Sequence, residues 1–243
     1  IQEEDMNLLE TKDLTKAFGG VVAVSDLNLS IREGIVFGVV GPNGAGKTTL
    51  INVITGVERV TKGSILFKGR NIGKLPTFKR SLEGITRTFQ IPQCFTGLTV
   101  FENILIPLLL RFPTQEAKKE AERIAERMFL KDDLDKQAQM LSVGRLKLLE
   151  LAKAYATSPK LLLVDEPMGG VSLDMMDSLI DLIKSLRDEG ITILLVEHVM
   201  KVVVALADEL VVLNFGKEIA LGKPEDVMNR KEVIEAYLGD EYA

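Results

Sequence analysis

The hydrophobic positions of this chain fall into short apolar runs separated by amphipathic stretches. The early runs are punctuated by glycine, whereas the later ones are apolar at nearly every position. A run without polar alternation is typical of a strand buried on both faces of a parallel sheet. The runs predict strands over residues 7–11, 21–30, 34–40, 63–67, 161–164, 191–196 and 210–213.

Amphipathic stretches between the later runs predict helices. In the first of them, apolar residues recur at helical spacing at Ala117, Ala121, Ile124, Ala125 and Met128. The predicted helices cover residues 116–130, 143–157, 175–188 and 200–207. Strands that alternate with helices indicate an α/β fold around a mostly parallel sheet.

The chain length and the distribution of helical pattern predict its domain organisation. A length of 243 residues suits one large domain with a substantial core. Helical pattern dominates the middle of the chain, so we predict a helical subdomain over residues 92–158. This subdomain would be an insertion into a core formed by residues 1–91 and 159–243.

Composition excludes several classes of protein. With 46% hydrophobic and 27% charged residues, the chain has the balance of a folded globular protein. The net charge of −5 gives no basic footprint for nucleic acid, and we expect no nucleic-acid partner. Cys94 is the one cysteine and His198 the one histidine, which excludes a disulfide scaffold and a Cys/His metal cluster.

Charge along the chain also argues against a membrane span. Charged residues interrupt the longest apolar stretch, residues 190–216, before it reaches the ~18 residues that a span requires. The first ten residues are acidic, where a signal peptide would be basic and then apolar. We therefore expect a cytoplasmic protein.

Residues 41–48 match the pattern G-x-x-x-x-G-K-[ST] and lie between a predicted strand and a helical pattern. We call them the phosphate loop. The glycines let backbone N–H groups converge on phosphate oxygens, Lys47 reaches the β- and γ-phosphates, and Thr48 offers a hydroxyl to Mg²⁺. The alternative is an ordinary glycine turn, which the flanking strand and helix patterns disfavour.

The apolar run 161–164 ends in two acids, Asp165 and Glu166. A carboxylate at the end of an apolar strand is where such NTPases hold their metal, so we expect Asp165 to ligate Mg²⁺. Glu166 would stand just beyond it and accept a proton from the water that attacks the γ-phosphate. The alternative is a solvated strand end.

Five segments together resemble the motif set of the ABC transporter ATP-binding family, in its order and with its spacing. They are residues 41–49, 88–90, 141–144, 163–167 and 196–198. The resemblance implies a P-loop NTPase core with a mostly parallel sheet, an antiparallel β subdomain and an inserted helical subdomain. It also implies Mg²⁺-dependent ATP hydrolysis.

The resemblance implies roles for further residues. Gln90 would ligate Mg²⁺ and the attacking water, His198 would contact the γ-phosphate, and Phe18 would stack on adenine. From the residues alone, a surface glutamine, a structural histidine and a core phenylalanine are the alternatives. The implied catalytic residues are Glu166, His198, Gln90 and Lys47, and the implied metal ligands are Thr48, Gln90 and Asp165. The implied ATP-binding residues are Phe18, Gly41, Pro42, Asn43, Gly44, Ala45, Gly46, Lys47, Thr48, Thr49, Ser142 and Gly144.

In the family, Ser142 and Gly144 would bind the γ-phosphate held by a second copy, which implies a head-to-tail dimer, either a homodimer or a heterodimer. Ser142 can cap the helix that follows, whose N-terminus would then face an anion. The segment departs from the family pattern at Val143 and Arg145, and an arginine there could add a phosphate contact or disturb the interface. Ser172 stands where the family places an aspartate that couples the two sites, and Asp174 could replace it only in a longer loop.

Within the family, the chain is most similar to the ATP-binding subunits of branched-chain amino acid importers. Residues 17–20, 86–90, 98–103, 196–200, 222–226 and 236–239 carry this likeness. It implies separate transmembrane permease subunits, an external solute-binding protein acting through them, and a place on the cytoplasmic face of the membrane. The apolar residues 91–112 would form either a groove for a membrane subunit or subdomain core.

Other functions remain open at this stage. Exporter ATPases, including the lipopolysaccharide type, share several of these segments. A soluble ABC ATPase outside transport is a second alternative, and a subunit that binds nucleotide without useful hydrolysis is a third, motivated by Arg145 and Ser172. A P-loop kinase is disfavoured, because the motif set leaves no place for an acceptor substrate.

Overall fold

A computed structural model describes residues 7–238, apart from the side chains of Leu173, Asp174 and Leu238. Three features of the sequence therefore lie outside what is described. They are Asp174 as a replacement for Ser172, the acidic residues within 1–6, and Gly239 of the C-terminal segment. Within that part of the chain, the strands form two sheets and the helices pack around them.

The larger sheet has six strands in the order β10-β9-β3-β8-β7-β6, and only β10 runs antiparallel to its neighbour. Every residue of β3, β7 and β8 is buried, as the continuous apolar runs predict. Because Val196 pairs with both Val39 and Asp165, the carboxyl ends of these three strands meet at one edge. The strands are β3 (Val36–Val40), β6 (Ile85–Arg87), β7 (Leu161–Asp165), β8 (Thr192–Val196), β9 (Glu209–Asn214) and β10 (Lys217–Gly222).

The smaller sheet is antiparallel, with the strand order β2-β1-β4-β5. Its inner face packs toward the larger sheet, and helix α1 (Lys47–Thr55) contributes Leu50, Ile51 and Ile54 to the core between them. The phosphate-loop helix is thus fixed on the core side. The strands are β1 (Asn7–Phe18), β2 (Val21–Arg32), β4 (Lys62–Phe67) and β5 (Arg70–Asn71).

Three helices of the chain's middle, α3, α4 and α5, pack on one another and share a core with α6 and the larger sheet. The five apolar residues of α4's helical pattern are all buried there, as predicted. The boundaries at residues 92 and 158 stay a prediction. The remaining helices are α2 (Thr77–Glu83), α3 (Val100–Leu108), α4 (Thr114–Arg127), α5 (Val143–Ala156), α6 (Leu173–Asp188), α7 (Met200–Leu206), α8 (Pro224–Val227) and α9 (Lys231–Leu238).

Residues 91–112 lie partly in the core and partly on the surface. Val100, Ile104 and Leu108 of α3 lie in the core, whereas Ile91 and Leu110 are exposed. Core packing therefore accounts for one face of α3 and leaves apolar side chains on the surface. Among residues 7–238, no helix has the length and apolar character that crossing a bilayer requires.

Candidate functional site

The phosphate loop connects β3 to α1 and wraps around the side chain of its own lysine. The Lys47 ammonium donates to the backbone carbonyls of Gly41 (2.6 Å) and Pro42 (2.9 Å) and is almost wholly buried. Helix α1 begins at Lys47 with Gly46 as its N-cap, so the positive end of the helix dipole faces the loop. The loop therefore gathers a cation and a helix N-terminus around one small volume, which suits a phosphate chain.

Gly46 cannot be replaced without moving its neighbours. Its φ is 102°, and a Cβ atom would lie 2.3 Å from the carbonyl oxygen of Ala23. The loop is also hydrogen-bonded through Gly216, whose N–H donates to Ala45 (3.0 Å) and whose carbonyl accepts from Ser25 (2.8 Å). Strand β2 and the β9–β10 turn therefore pack against the phosphate loop and support it.

An open cleft lies over the phosphate loop and includes residues distant in sequence. Gln90 follows β6 and Glu166 follows β7, and both reach the cleft because those strands end at the same edge as β3. The lining residues are Ala23, Asn43, Gly44, Ala45, Gly46, Lys47, Thr48, Thr49, Gln90 and Glu166. The structure thus brings Lys47, Thr48, Gln90 and Glu166 together in one cleft, and Asp165 directly precedes Glu166.

Glu166 stands at the meeting point of two further predicted residues. The Gln90 Nε2 group donates to Glu166 Oε2 over 2.5 Å, and His198 Nδ1 lies 3.8 Å from the same oxygen. The backbone φ of Glu166 is 46°, a left-handed conformation that is uncommon for a residue other than glycine. Such strain is concentrated at functional sites, where the surroundings hold it.

Asp165 ends β7 with its side chain buried (4% exposed) and paired with Arg87 over 3.3 Å. Burial raises the pKa of the Asp165 carboxyl, and the charge of Arg87 acts against that rise. Arg87 also donates to Asn52 of α1 (2.6 Å) and stacks on Phe89 at 4.3 Å. The sequence motifs gave no role to Arg87, although Arg87 lies three positions before Gln90.

Glu197 is a second residue that sequence analysis left without a role. It is fully buried, and its carboxylate accepts from the N–H groups of Met168 (3.0 Å), His198 (2.7 Å) and Val199 (3.0 Å). It thereby joins the segment after β7 to the segment after β8. The available signal was the same as for Asp165, an acid directly after a continuous apolar run.

Phe18 lies at the end of β1 and is not a core residue, since 46% of it is exposed. The Lys16 ammonium lies 4.4 Å from the centre of its ring. Phe18 is not among the residues lining the cleft, so its contact with adenine stays a prediction.

The segment 141–144 lies apart from the cleft of its own chain. Ser142 caps α5 by accepting from the Arg145 N–H at 3.4 Å. The Arg145 side chain turns away from the helix start, donating to the Phe129 carbonyl and lying 3.4 Å from Asp133. Gly144 packs so closely that a Cβ atom would lie 2.7 Å from the Met175 sulfur.

The predicted metal ligands offer only oxygen donors, which Mg²⁺ prefers. They are the Thr48 hydroxyl, the Asp165 carboxylate and the Gln90 amide, whose nitrogen end is taken by Glu166. Among the side chains that the structure describes, no group of three or more His, Cys, Asp or Glu residues could cage a metal. The donor set therefore fits a Mg²⁺ ion that completes its shell with phosphate and water.

Comparisons with known proteins agree with this geometry. Residues 24–169 match the family described as "ABC transporter", and residues 217–243 match the family described as "Branched-chain amino acid ATP-binding cassette transporter". A probable branched-chain amino acid transport ATP-binding protein LivG from Archaeoglobus fulgidus is 39% identical, with 96% of each chain covered.

Two solved structures are similar over most of the chain. The ADP conformation of an ATP-binding cassette of an ABC transporter has a TM-score of 0.87 and 32% identity, covering 96% of this chain and 99% of that one. The dimeric structure of a bacterial ABC transporter cassette has a TM-score of 0.82 and 25% identity, covering 89% and 98%.

Proposed function

Because the chain belongs to the ABC transporter family, we propose that it is the ATP-binding and ATP-hydrolysing subunit of an importer of branched-chain amino acids. The observation that carries the proposal is the convergence of Gln90 and Glu166 on the phosphate-loop cleft. The name of the Archaeoglobus relative supports the class of solute. No observation favours an exporter, a soluble ATPase or a kinase.

In the proposed site, ATP lies along the phosphate loop with its γ-phosphate toward Gln90 and Glu166. Lys47 and the loop N–H groups stabilise the charge that develops on the phosphate oxygens. The remaining loop residues, including Asn43 and Thr49, shape the cradle, and Phe18 stacks on the adenine ring. Thr48, Asp165 and Gln90 would hold Mg²⁺, which supplies charge neutralisation when bound.

Glu166 is the proposed general base. Its carboxylate receives a proton from the water that attacks the γ-phosphorus, and Gln90, already hydrogen-bonded to it, orients that water. His198 Nδ1 lies 3.8 Å from the same carboxylate, and His198 would contact the γ-phosphate. The three groups thus flank the position where the new P–O bond forms as the bond from the γ-phosphorus to the β–γ bridging oxygen breaks and ADP leaves.

The working unit in this proposal is a head-to-tail dimer. Ser142 and Gly144 lie at the N-terminus of α5, which is outside the cleft of their own chain. A second subunit can place its bound phosphate there, where the helix N-terminus attracts anions. The dimeric cassette among the similar structures supports this arrangement.

Separate membrane subunits complete the proposed transporter. Exposed apolar side chains at Ile91, Phe95 and Leu110 offer a surface for a permease helix. Residues 92–158 would move as the helical subdomain against the rest of the chain. A solute-binding protein would act on the other side of the membrane through the permease.

Copurification followed by reconstitution tests the proposal. The tagged chain is recovered from gently solubilised native membranes, and two hydrophobic permease chains should accompany it. Reconstituted into proteoliposomes, the complex should take up labelled leucine with ATP, and the Glu166→Gln complex should not. Recovery of soluble proteins alone, from membranes in which other transporters stay intact, would refute the transport role.

A further inference from the structure

Lys147 lies in α5, five residues after Ser142, and its side chain reaches the proposed base of its own chain. Its ammonium donates to the backbone carbonyl of Glu166. The side chain is half-buried, and the carboxylates of Glu197, Glu166 and Asp165 are the charges that act on it. Sequence analysis gave Lys147 no role, and neither the phosphate loop nor the metal ligands include it.

Lys147 donates to a residue, Glu166, whose backbone conformation is unfavourable and must be held by its neighbours. Glu166 has a φ of 46°, and a left-handed residue other than glycine persists only where its surroundings hold it. The Glu166 N–H donates to the Val196 carbonyl (2.9 Å), which fixes the N-terminal side of Glu166 to β8. On the other side, the carbonyl accepts from Lys147 and, at 3.4 Å, from the Gly169 N–H.

The positive charge of Lys147 also lies beside a group of carboxylates. Asp165, Glu166 and Glu197 are three carboxylates within a few residues of the ends of β7 and β8. A cation beside them offsets their mutual repulsion, which is strong in a partly buried site. The same ammonium therefore supports the backbone conformation of Glu166 and lies beside the charges of this cluster.

We propose that Lys147 is a positioning residue that holds Glu166 in the orientation required of a general base. This inference rests on the proposed function. It also means that the helix whose N-terminus carries Ser142 is attached to the base of the same chain.

The first experiment measures ATP hydrolysis by Lys147→Gln, Lys147→Met and Lys147→Arg. The matched control is Lys153→Gln, because Lys153 is a half-buried lysine of the same helix that donates to a different carbonyl, that of Gln93 (2.6 Å). We expect the Gln and Met variants to lose roughly tenfold or more in kcat, since small misplacement of a catalytic group has effects of this order. KM for ATP and the affinity for a fluorescent ATP analogue should stay within about twofold, since Lys147 does not line the cleft.

Two further results separate positioning from a merely structural role. Lys147→Arg should recover most of kcat, because its guanidinium can also donate to the Glu166 carbonyl. In a Glu166→Gln background, Lys147→Gln should cause no further loss of kcat, since two groups that act as one are not additive. The thermal unfolding midpoint of each folded variant should match that of the control.

The proposal is overturned if Lys147→Gln behaves like Lys153→Gln, if it weakens analogue binding instead of kcat, or if its effect is additive with Glu166→Gln. Failure of both the Gln and Met variants to fold would also overturn it, because the residue would then hold the fold and not the base. An unmodified chain that binds ATP but does not hydrolyse it would instead contradict the proposed function. The two failures are thus distinguishable.

Discussion

Gln90 and Glu166 are 76 residues apart in sequence, yet the Gln90 side chain donates to the Glu166 carboxylate over 2.5 Å. The contact exists because β6 and β7 are parallel neighbours that end at the same edge of the sheet. Gln90, which follows the edge strand β6, and Glu166, which follows its neighbour β7, thereby meet over the phosphate loop. The sheet, more than any local motif, assembles the site.

Replacing Glu166 with glutamine should slow hydrolysis and leave binding intact. The amide cannot accept the proton of the attacking water, so kcat should fall by about 100-fold or more. ATP should still bind and drive dimer formation, which size-exclusion chromatography with ATP would detect. Asp188→Asn, a surface carboxylate change, is the control, and unchanged turnover in Glu166→Gln would remove Glu166 from its role.

Replacing Gly46 with alanine should disrupt the phosphate loop. The new Cβ atom would lie 2.3 Å from the Ala23 carbonyl oxygen, so the loop or β2 must move. We expect nucleotide affinity to fall by roughly tenfold or more, equivalent to about 1.4 kcal/mol. Gly44→Ala is the matched comparison, because Gly44 also has a positive φ but faces open space; titration with a fluorescent ATP analogue should show a smaller loss there.

Replacing Glu197 with glutamine should lower the stability of the protein. The buried carboxylate accepts three N–H groups, and an amide has one oxygen to offer them. The free energy of unfolding should fall by about 1–3 kcal/mol, measured by chemical denaturation. Glu225→Gln, an exposed residue, should change it by less than about 0.5 kcal/mol, and equal effects of the two would contradict the bonding described.

Glu150 predicts a pH dependence of stability. Burial raises the pKa of this carboxyl, although its hydrogen bond from the Gln93 N–H acts in the opposite direction. The folded state therefore holds the proton more strongly than the unfolded state, and stability falls as pH rises from the ordinary glutamate pKa through the raised one. Glu150→Gln should lose this contribution, so its stability relative to the unmodified chain should increase with pH across that window.

Denaturant unfolding at several pH values, from about 4.5, near the ordinary glutamate pKa, up to about neutral pH, would measure the difference. Glu116→Gln, an exposed change, should give a difference that does not vary with pH. A difference for Glu150→Gln that is constant or falls with pH would contradict the burial effect.

Much of the fold could be predicted from the sequence, because local pattern and burial agree there. Strands β3, β7 and β8 are buried on both faces, and their unbroken apolar runs are the sign of it. The phosphate loop and the Asp165-Glu166 pair were found for the same reason, since each follows such a run. Helix α4 was found from its apolar spacing.

Other elements could not be found so directly. Strand β6 has three residues, which are too few for an apolar pattern to be recognised. Helix α3 contains Pro107, which argues against a helix, although the capping box of Thr99 and Glu102 marks its start. The contacts of Arg87, Lys147 and Glu197 join segments far apart in sequence, and only the assembled sheet brings them together.

The Glu197 carboxylate joins the two chain segments that carry Glu166 and His198. Its two carboxylate oxygens are shared between Met168, in the segment that carries Glu166, and the residues His198 and Val199. Neither segment can swing away alone without leaving a fully buried negative charge short of donors, which is costly. A displacement of one segment is therefore expected to carry the other with it, so that Glu166 and His198 keep their relative positions.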